Sequence, residues 1–332
     1  MAEDISREPW MVAADTLHRR HLAPQETQWL QDPADKVYVS MLGRDLTRLG
    51  VAHVVETPVE LFHYTKIDNF KSIIQSGTLR ASNAEQCNDS KEVVLGRQLI
   101  DECLNTQMSR GMPGSVRREF FEFFARDLIN RVRPTYYITC FSSRERGRPE
   151  WGLYADGGRG VVIVMESAEL ASSAAIQRSI EIATLRPITY DANDQHKQME
   201  AACDLAYDTI IRRLGRPKSL IKNLPLVASV GAMLSAHLTF QASGFKHEFW
   251  ADEHEYRLTV SLYGHESDTT AIRNYNGRQY LEISYSDNKL PITRVVVGPL
   301  ASEDDESFVR QVLRENGYDV SVIRSDIPFR ET

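Results

Sequence analysis

Four cysteines in 332 residues, Cys87, Cys103, Cys140 and Cys203, are too scattered for a disulfide framework, and no CxxC pair offers a zinc knuckle. They read as free thiols of a reducing compartment. Net positive charge is missing too: the formal charge of −7 excludes a broadly basic nucleic-acid surface, although a local basic groove stays compatible with it. Neither His18 with His21 nor His247 with His254 has metal-ligand spacing, so no metal is expected. There is no G-x-x-x-x-G-K-[ST] phosphate loop and no G-x-S-x-G elbow. "GLYADGGRG" clusters glycines without the spacing of a dinucleotide fingerprint. Long uncharged runs are scarce. One, "NLPLVASVGAMLSAHLTFQASGF" (223–245), contains Pro225, His237, Gln241 and several hydroxyls, which dilute it into a buried helix rather than a span. The opening "MAEDISREPWMVAADTLHRRH" lacks the charged-then-apolar order of a signal peptide. The expectation is a cytoplasmic protein without membrane contact.

What is present suits a folded core, with 42% hydrophobic and 26% charged residues. Residues 4–55 carry helical periodicity, so 1–57 reads as an N-terminal helical extension to a domain spanning 58–332. "VELFHYT" then reads as a strand and "KIDNFKSIIQSG" as a helix closed by Gly77. "SKEVVLGRQLIDECLNT" and "SVRREFFEFFARDLINRV" are helical, while "TYYITCFS" and "GVVIVM" are strands. "IEIATLRPITY" reads as a strand pair or bent strand. Residues 193–245 form a helical insertion. "EYRLTVSLY" and "QYLEISYS" return to the sheet, and a β-α-β tail closes the chain. This order defines an α+β fold with a mixed sheet.

Several residue groups carry chemical potential. In "LFHYT", His63 and Thr65 share one strand face, placed to meet a ligand's hydroxyls or carboxamide; the bland alternative is a self-satisfied structural histidine. Trp151 and Tyr154, three apart, would share a helix face as a hydrophobic plug or as a stacking wall for a planar ring. In "WADEHEYRL", Glu253, Glu255 and Arg257 would align on one face if extended; two carboxylates so close raise each other's proton affinity unless a cation relieves them. Asn88 and Asp89 read as a helix cap that is also able to bond a ligand. Arg80, Arg144, Arg146, Arg148 and Arg159 would suit either a phosphate pocket or an exposed charged loop.

The blocks "LFHYTKIDNFKSIIQSGTLRASNAEQCNDSKE", "CFSSRERGRPEWGLYADGGRGVVI" and "FWADEHEYRL", in that order, resemble a widespread bacterial family of domains of unknown function over roughly residues 59–330. The first block is also similar to the opening of ADP-ribosyltransferases. That resemblance implies a mainly antiparallel split β-sheet and NAD as substrate. By residue it implies that His63, with Tyr64, Thr65 and Asn88 beside it, binds NAD. Tyr154 would stack on nicotinamide with Trp151 as the alternative, Glu255 would be the catalytic glutamate, and Glu253 its helper. The acceptor it implies is a macromolecule, nucleic acid or protein, with the chain acting as a bacterial toxin or phage-defence effector, accompanied by a neutralising partner protein. Two other readings stay open: an NAD or phosphorylated-end hydrolase, and a nucleotide-binding sensor module that transfers nothing.

Overall fold

"ELFHYT" pairs β-branched and aromatic residues with an apolar face, and "IDNFKSIIQS" spaces its apolar residues by three and four; the two form a strand and a helix in direct succession. In the computed structural model, which describes residues 30–51, 59–87, 90–125, 135–145, 148–170, 182–215, 217–261, 272–285 and 289–328, they are β1 (Glu60–Thr65) and α2 (Ile67–Ser76). The helix α1 (Pro33–Val51) precedes them. Gly77 closes α2 at φ 62°, its N–H bonded to the Ile73 carbonyl, a left-handed turn that glycine adopts without strain. Then come β2 (Thr78–Asn83), α3 (Ser90–Ser109), α4 (Val116–Glu119), β3 (Tyr136–Ser142), α5 (Arg148–Leu153) and β4 (Val161–Glu166). The chain continues through β5 (Ile182–Pro187), α6 (Ala192–Leu214), α7 (Leu224–Ala242), β6 (Glu255–Ser261), β7 (Ile272–Tyr275) and β8 (Arg278–Ser284). It closes with β9 (Ile292–Val297), α8 (Glu303–Glu315) and β10 (Ser321–Arg324).

The fold is α+β, built on a ten-stranded, mainly antiparallel sheet ordered β10-β9-β4-β1-β3-β2-β8-β7, with β6 also on β3 and β5 on β6. Among the described strands only β9 and β10 pair in parallel. Strand β3 gives one whole edge to β6, from Tyr136↔Ser261 to Ser142↔Glu255. Its other edge is shared: β1 meets it at Ser142, β2 at Ile138 and Tyr137. Between those contacts, at residues 139–141, neither β1 nor β2 pairs with β3. The sheet is split there.

One sheet face packs against α2 and α8 through Leu61, Phe70, Ile74, Ile163, Val295 and Val309. The opposite face carries Phe62, Tyr64, Val162, Val164 and Val296 with Trp151 of α5 over them. A second core unites α1, α3, α6 and α7 through Leu42, Leu46, Leu104, Cys203, Ala206, Val230 and Leu234. The described part of the expected N-terminal extension shares a hydrophobic core with residues of the 193–245 insertion. Ile221–Ala242 is long and apolar enough to cross a membrane by length and composition, yet 56% of its most apolar window is buried inside the protein. "IEIATLRPITY" forms the single strand β5 over its described part, followed by a bridge from Thr189 to Phe245.

The insertion touches the sheet at the end of α7. Tyr136 donates to the Ala236 carbonyl at 2.9 Å, and the buried Arg186 of β5 donates to Gln241 Oε1 and to the Phe240 carbonyl at 2.8 and 2.5 Å. A Cβ on Gly244 would lie 2.3 Å from the Arg186 guanidinium, so a side chain there would displace that buried cation. The turn delivers residues 246–253 to the split in the sheet.

Candidate functional site

A cleft of about 350 Å³ opens over the split, a volume typical of small-ligand sites. Its wall includes His63, Arg80, Cys140, Glu150, Tyr154, Lys246, Glu253, Glu255, Arg257 and Arg278.

His63 fills the gap in the sheet. Its Nδ1 lies 3.2 Å from the Cys140 carbonyl, on the stretch of β3 that neither β1 nor β2 covers. A carbonyl only accepts, so Nδ1 carries the proton and Nε2 is left as an acceptor. Desolvation lowers the imidazole pKa below 6.5 against the opposing effect of the Cys140 carbonyl, so the ring is neutral at pH 7. Its ring also packs on Phe141 at 5.6 Å between centroids.

Across the cleft, β6 begins with Glu255, and the alternation of the strand brings Glu255 and Arg257 to one face. Arg257 Nε donates to Glu255 Oε1 at 2.6 Å and Nη2 to Oε2 at 3.2 Å. Lys246 Nζ donates to Glu255 Oε2 at 3.0 Å and to Glu253 Oε2 at 2.5 Å. Burial alone would raise the Glu255 carboxyl; the charges and hydrogen bonds of Arg257 and Lys246 outweigh it and bring the pKa down to about 2. Glu255 N–H donates to the Tyr190 hydroxyl, and Arg257 Nη1 to the Ser243 carbonyl just after α7, a favourable place for a cation. Glu253 belongs to a turn, Glu248–Glu253, rather than to β6, and His254 at φ 45° reverses the chain between them. The extended Glu-x-Glu-x-Arg row is thus broken at its first member, and Lys246 rejoins the two carboxylates.

Nothing in "GFKHEF" marks Lys246 as a site residue, and the sequence reading missed it. Glu150 was missed as well: it lies in α5, sits at 4% exposure, lines the cleft, and finds no hydrogen-bond partner elsewhere among the described residues. Desolvation raises its pKa; its own backbone N–H pulls the other way, and Glu253 adds to the rise. The Cys140 thiol opens toward the same cleft, where desolvation and then the Glu255 charge hold its pKa well above the ordinary thiol range. A raised pKa disfavours the thiolate form.

The two expected aromatic walls part company. Trp151 is 0% exposed, turned into the core with the Tyr64 ring edge-on at 5.3 Å, so it is not a stacking surface. Helix α5 ends at Leu153, and Tyr154 stands 50% exposed at the cleft, with desolvation pushing its hydroxyl pKa up to about 12. Tyr64 spends its hydroxyl on the carbonyls of Arg144 and Glu145 at 2.8 and 2.9 Å, pinning the loop after β3. Thr65 is buried against β4 and does not line the cleft; a Cβ on Gly160 would lie 2.3 Å from its carbonyl. Asn88, Asp89 and Arg146 lie outside the described residues.

Of the arginines, Arg80 faces the cleft, held over the Tyr280 ring at 4.9 Å, with Arg278 beside it on the wall. Among the described residues no three His, Cys, Asp or Glu side chains converge to hold a metal ion. The cleft therefore has an acidic end, Glu150, Glu253 and Glu255 around Lys246 and Arg257, and a basic end at Arg80 and Arg278.

Residues 150–258 match a family described as "Protein of unknown function (DUF2971)". The matched segment contains Glu150, Tyr154, Lys246, Glu253, Glu255 and Arg257 of the cleft wall, while His63, Arg80, Cys140 and Arg278 lie outside it. No curated protein and no solved structure matches the chain.

Proposed function

We propose that the cleft binds NAD and that the protein transfers its ADP-ribosyl group to a macromolecular acceptor, protein or nucleic acid. One observation supports this above the others: a neutral histidine that fills a gap in the sheet lines the same cleft as an ionised, cation-held glutamate at the start of a strand. His63 Nε2 would accept from a ribose hydroxyl, Tyr154 would cover the nicotinamide ring, and Arg80 with Arg278 would meet the diphosphate. Glu255, ionised down to about pH 2, is an anion fixed near the place where positive charge develops at the ribose C1′. The bond from C1′ to the nicotinamide nitrogen breaks with its electron pair going to nicotinamide, which leaves neutral. The acceptor's nucleophile then bonds to C1′.

The same geometry favours a second reading on one specific point. Both Glu255 oxygens are already occupied, by Arg257 and Lys246. A glutamate held so fully suits a nucleotide-binding module without turnover. NAD labelled on the adenylate, incubated with the full chain and cell lysate, separates the two. Label on a macromolecule with wild type, absent with Glu255→Gln, supports transfer; binding that survives Glu255→Gln with no product supports the sensor module; nicotinamide release without label transfer indicates a hydrolase.

A further inference from the structure

The cleft holds three carboxylates, and their surroundings give them different capacities. Glu255 meets Arg257 and Lys246 on both oxygens. Glu253 meets Lys246 at 2.5 Å. Both are ion-paired to cations. Glu150 is the exception. It is nine-tenths buried, its two oxygens are without partners elsewhere among the described residues, and it lines the cleft one helical turn before Tyr154. The charged groups that act on it are Glu253 and Asp252, which oppose its ionisation, and Arg144, which favours it. A buried carboxyl with free acceptor positions is costly to maintain, and cores do not retain one for packing, since an apolar side chain of similar size removes that cost. An opening to a ligand gives it a use.

We propose that Glu150 is the proton-accepting residue of the cleft. This rests on the ADP-ribosyl-transfer reading and replaces Glu253 in the helper role expected of it. As the C1′–nicotinamide bond breaks and the acceptor's oxygen or nitrogen bonds to C1′, the acceptor's proton passes to a Glu150 carboxylate oxygen; that oxygen is shielded from solvent at rest, so the proton leaves to water only when the side chain moves toward the cleft. Nicotinamide departs with the bonding pair, so no proton is needed on that side. Desolvation, and after it the charge of Glu253, raise the Glu150 carboxyl pKa above the ordinary carboxylate value, which favours holding a proton there.

The test compares wild type, Glu150→Gln and Glu150→Asp as full chains. Their affinity for NAD is measured by calorimetry, and the rate of label transfer from NAD is followed across pH 5 to 9. Thermal melting of each variant controls for folding; Glu150→Gln is expected to melt at or above the wild-type temperature, because it removes an unpartnered charge. The expected result is NAD affinity within about threefold of wild type for both variants, with transfer by Glu150→Gln lower on the order of 10²- to 10⁴-fold and its acid limb gone. Glu150→Asp, which keeps a carboxyl, is expected to retain the acid limb at a reduced rate. Wild-type transfer with an unchanged pH profile in Glu150→Gln would overturn the role of Glu150 while leaving the transferase reading intact. Wild type that neither binds nor consumes NAD would overturn both.

Discussion

His63 Nδ1 lies 3.2 Å from the carbonyl oxygen of Cys140, seventy-seven residues away in sequence, at the one stretch of β3 where β1 and β2 both leave its edge bare. The contact does two things. It satisfies a backbone acceptor that a continuous sheet would have paired, and it fixes the tautomer so that Nε2 is the free acceptor.

Asparagine places an amide nitrogen near the Nδ1 position but has nothing at Nε2. His63→Asn is therefore expected to keep the bond to the Cys140 carbonyl and to lose ligand affinity by roughly tenfold, about one hydrogen bond. Far-UV circular dichroism and NAD titration check the two halves of this statement. A variant that loses its fold instead would make His63 a structural plug only.

Glu255 contributes to the acid behaviour of the fold. Its carboxyl pKa is about 2 in the folded chain, against 4.5 for an unperturbed glutamate. The folded value is depressed, so its contribution to stability is complete above about pH 4.5 and disappears as pH falls through about 2. The size is roughly 3 kcal/mol from about 2.5 pK units. Glu255→Gln is expected to lower stability at pH 7 by a comparable amount and to flatten the acid limb of a denaturation series between pH 4.5 and 2.

Trp151 and Tyr154 should respond in opposite ways. Trp151→Ala removes a fully buried side chain from under Tyr64 and is expected to cost about 3–5 kcal/mol. Tyr154→Ala is expected to change stability by less than about 1 kcal/mol and to weaken NAD binding by about 1 kcal/mol through lost stacking. Denaturant midpoints and binding isotherms for the pair read this directly. Equal binding losses would return Trp151 to the cleft wall.

Arg80 defines the basic end. Arg80→Gln is expected to weaken ADP-ribose binding about five- to tenfold, to make the remaining binding less sensitive to salt, and to leave adenosine binding unchanged. A uniform loss for both ligands would mean that Arg80 supports the cleft through Tyr280 instead of meeting phosphate.

Local signals carried much of this fold. "LFHYT" announces β1 by its residue types, Gly77 announces the end of α2, and the low charge of 223–245 announces a buried helix; all three stand in the structure. Long-range pairing was not readable. The split depends on which strands share the edge of β3, and no residue in "TYYITCFS" encodes that β1 and β2 both arrive there. Spacing misled where an element ended early: Trp151 and Tyr154 suit one helix face, but α5 stops at Leu153, so one ring enters the core and the other the cleft. The same happened at His254, whose left-handed turn separates Glu253 from the strand of Glu255. Lys246 and Glu150 were invisible for a related reason. Each is an ordinary residue locally, and only tertiary structure places the lysine between two carboxylates and leaves Glu150 without a hydrogen-bond partner elsewhere among the described residues.

The most direct test is a calorimetric titration of the full chain with NAD at pH 7.5, with nicotinamide release followed in the same samples. Saturable binding to a single site, weakened by His63→Asn and by Arg80→Gln, is the predicted result. An absence of heat together with an absence of nicotinamide release from wild type would contradict the assignment of NAD to the cleft.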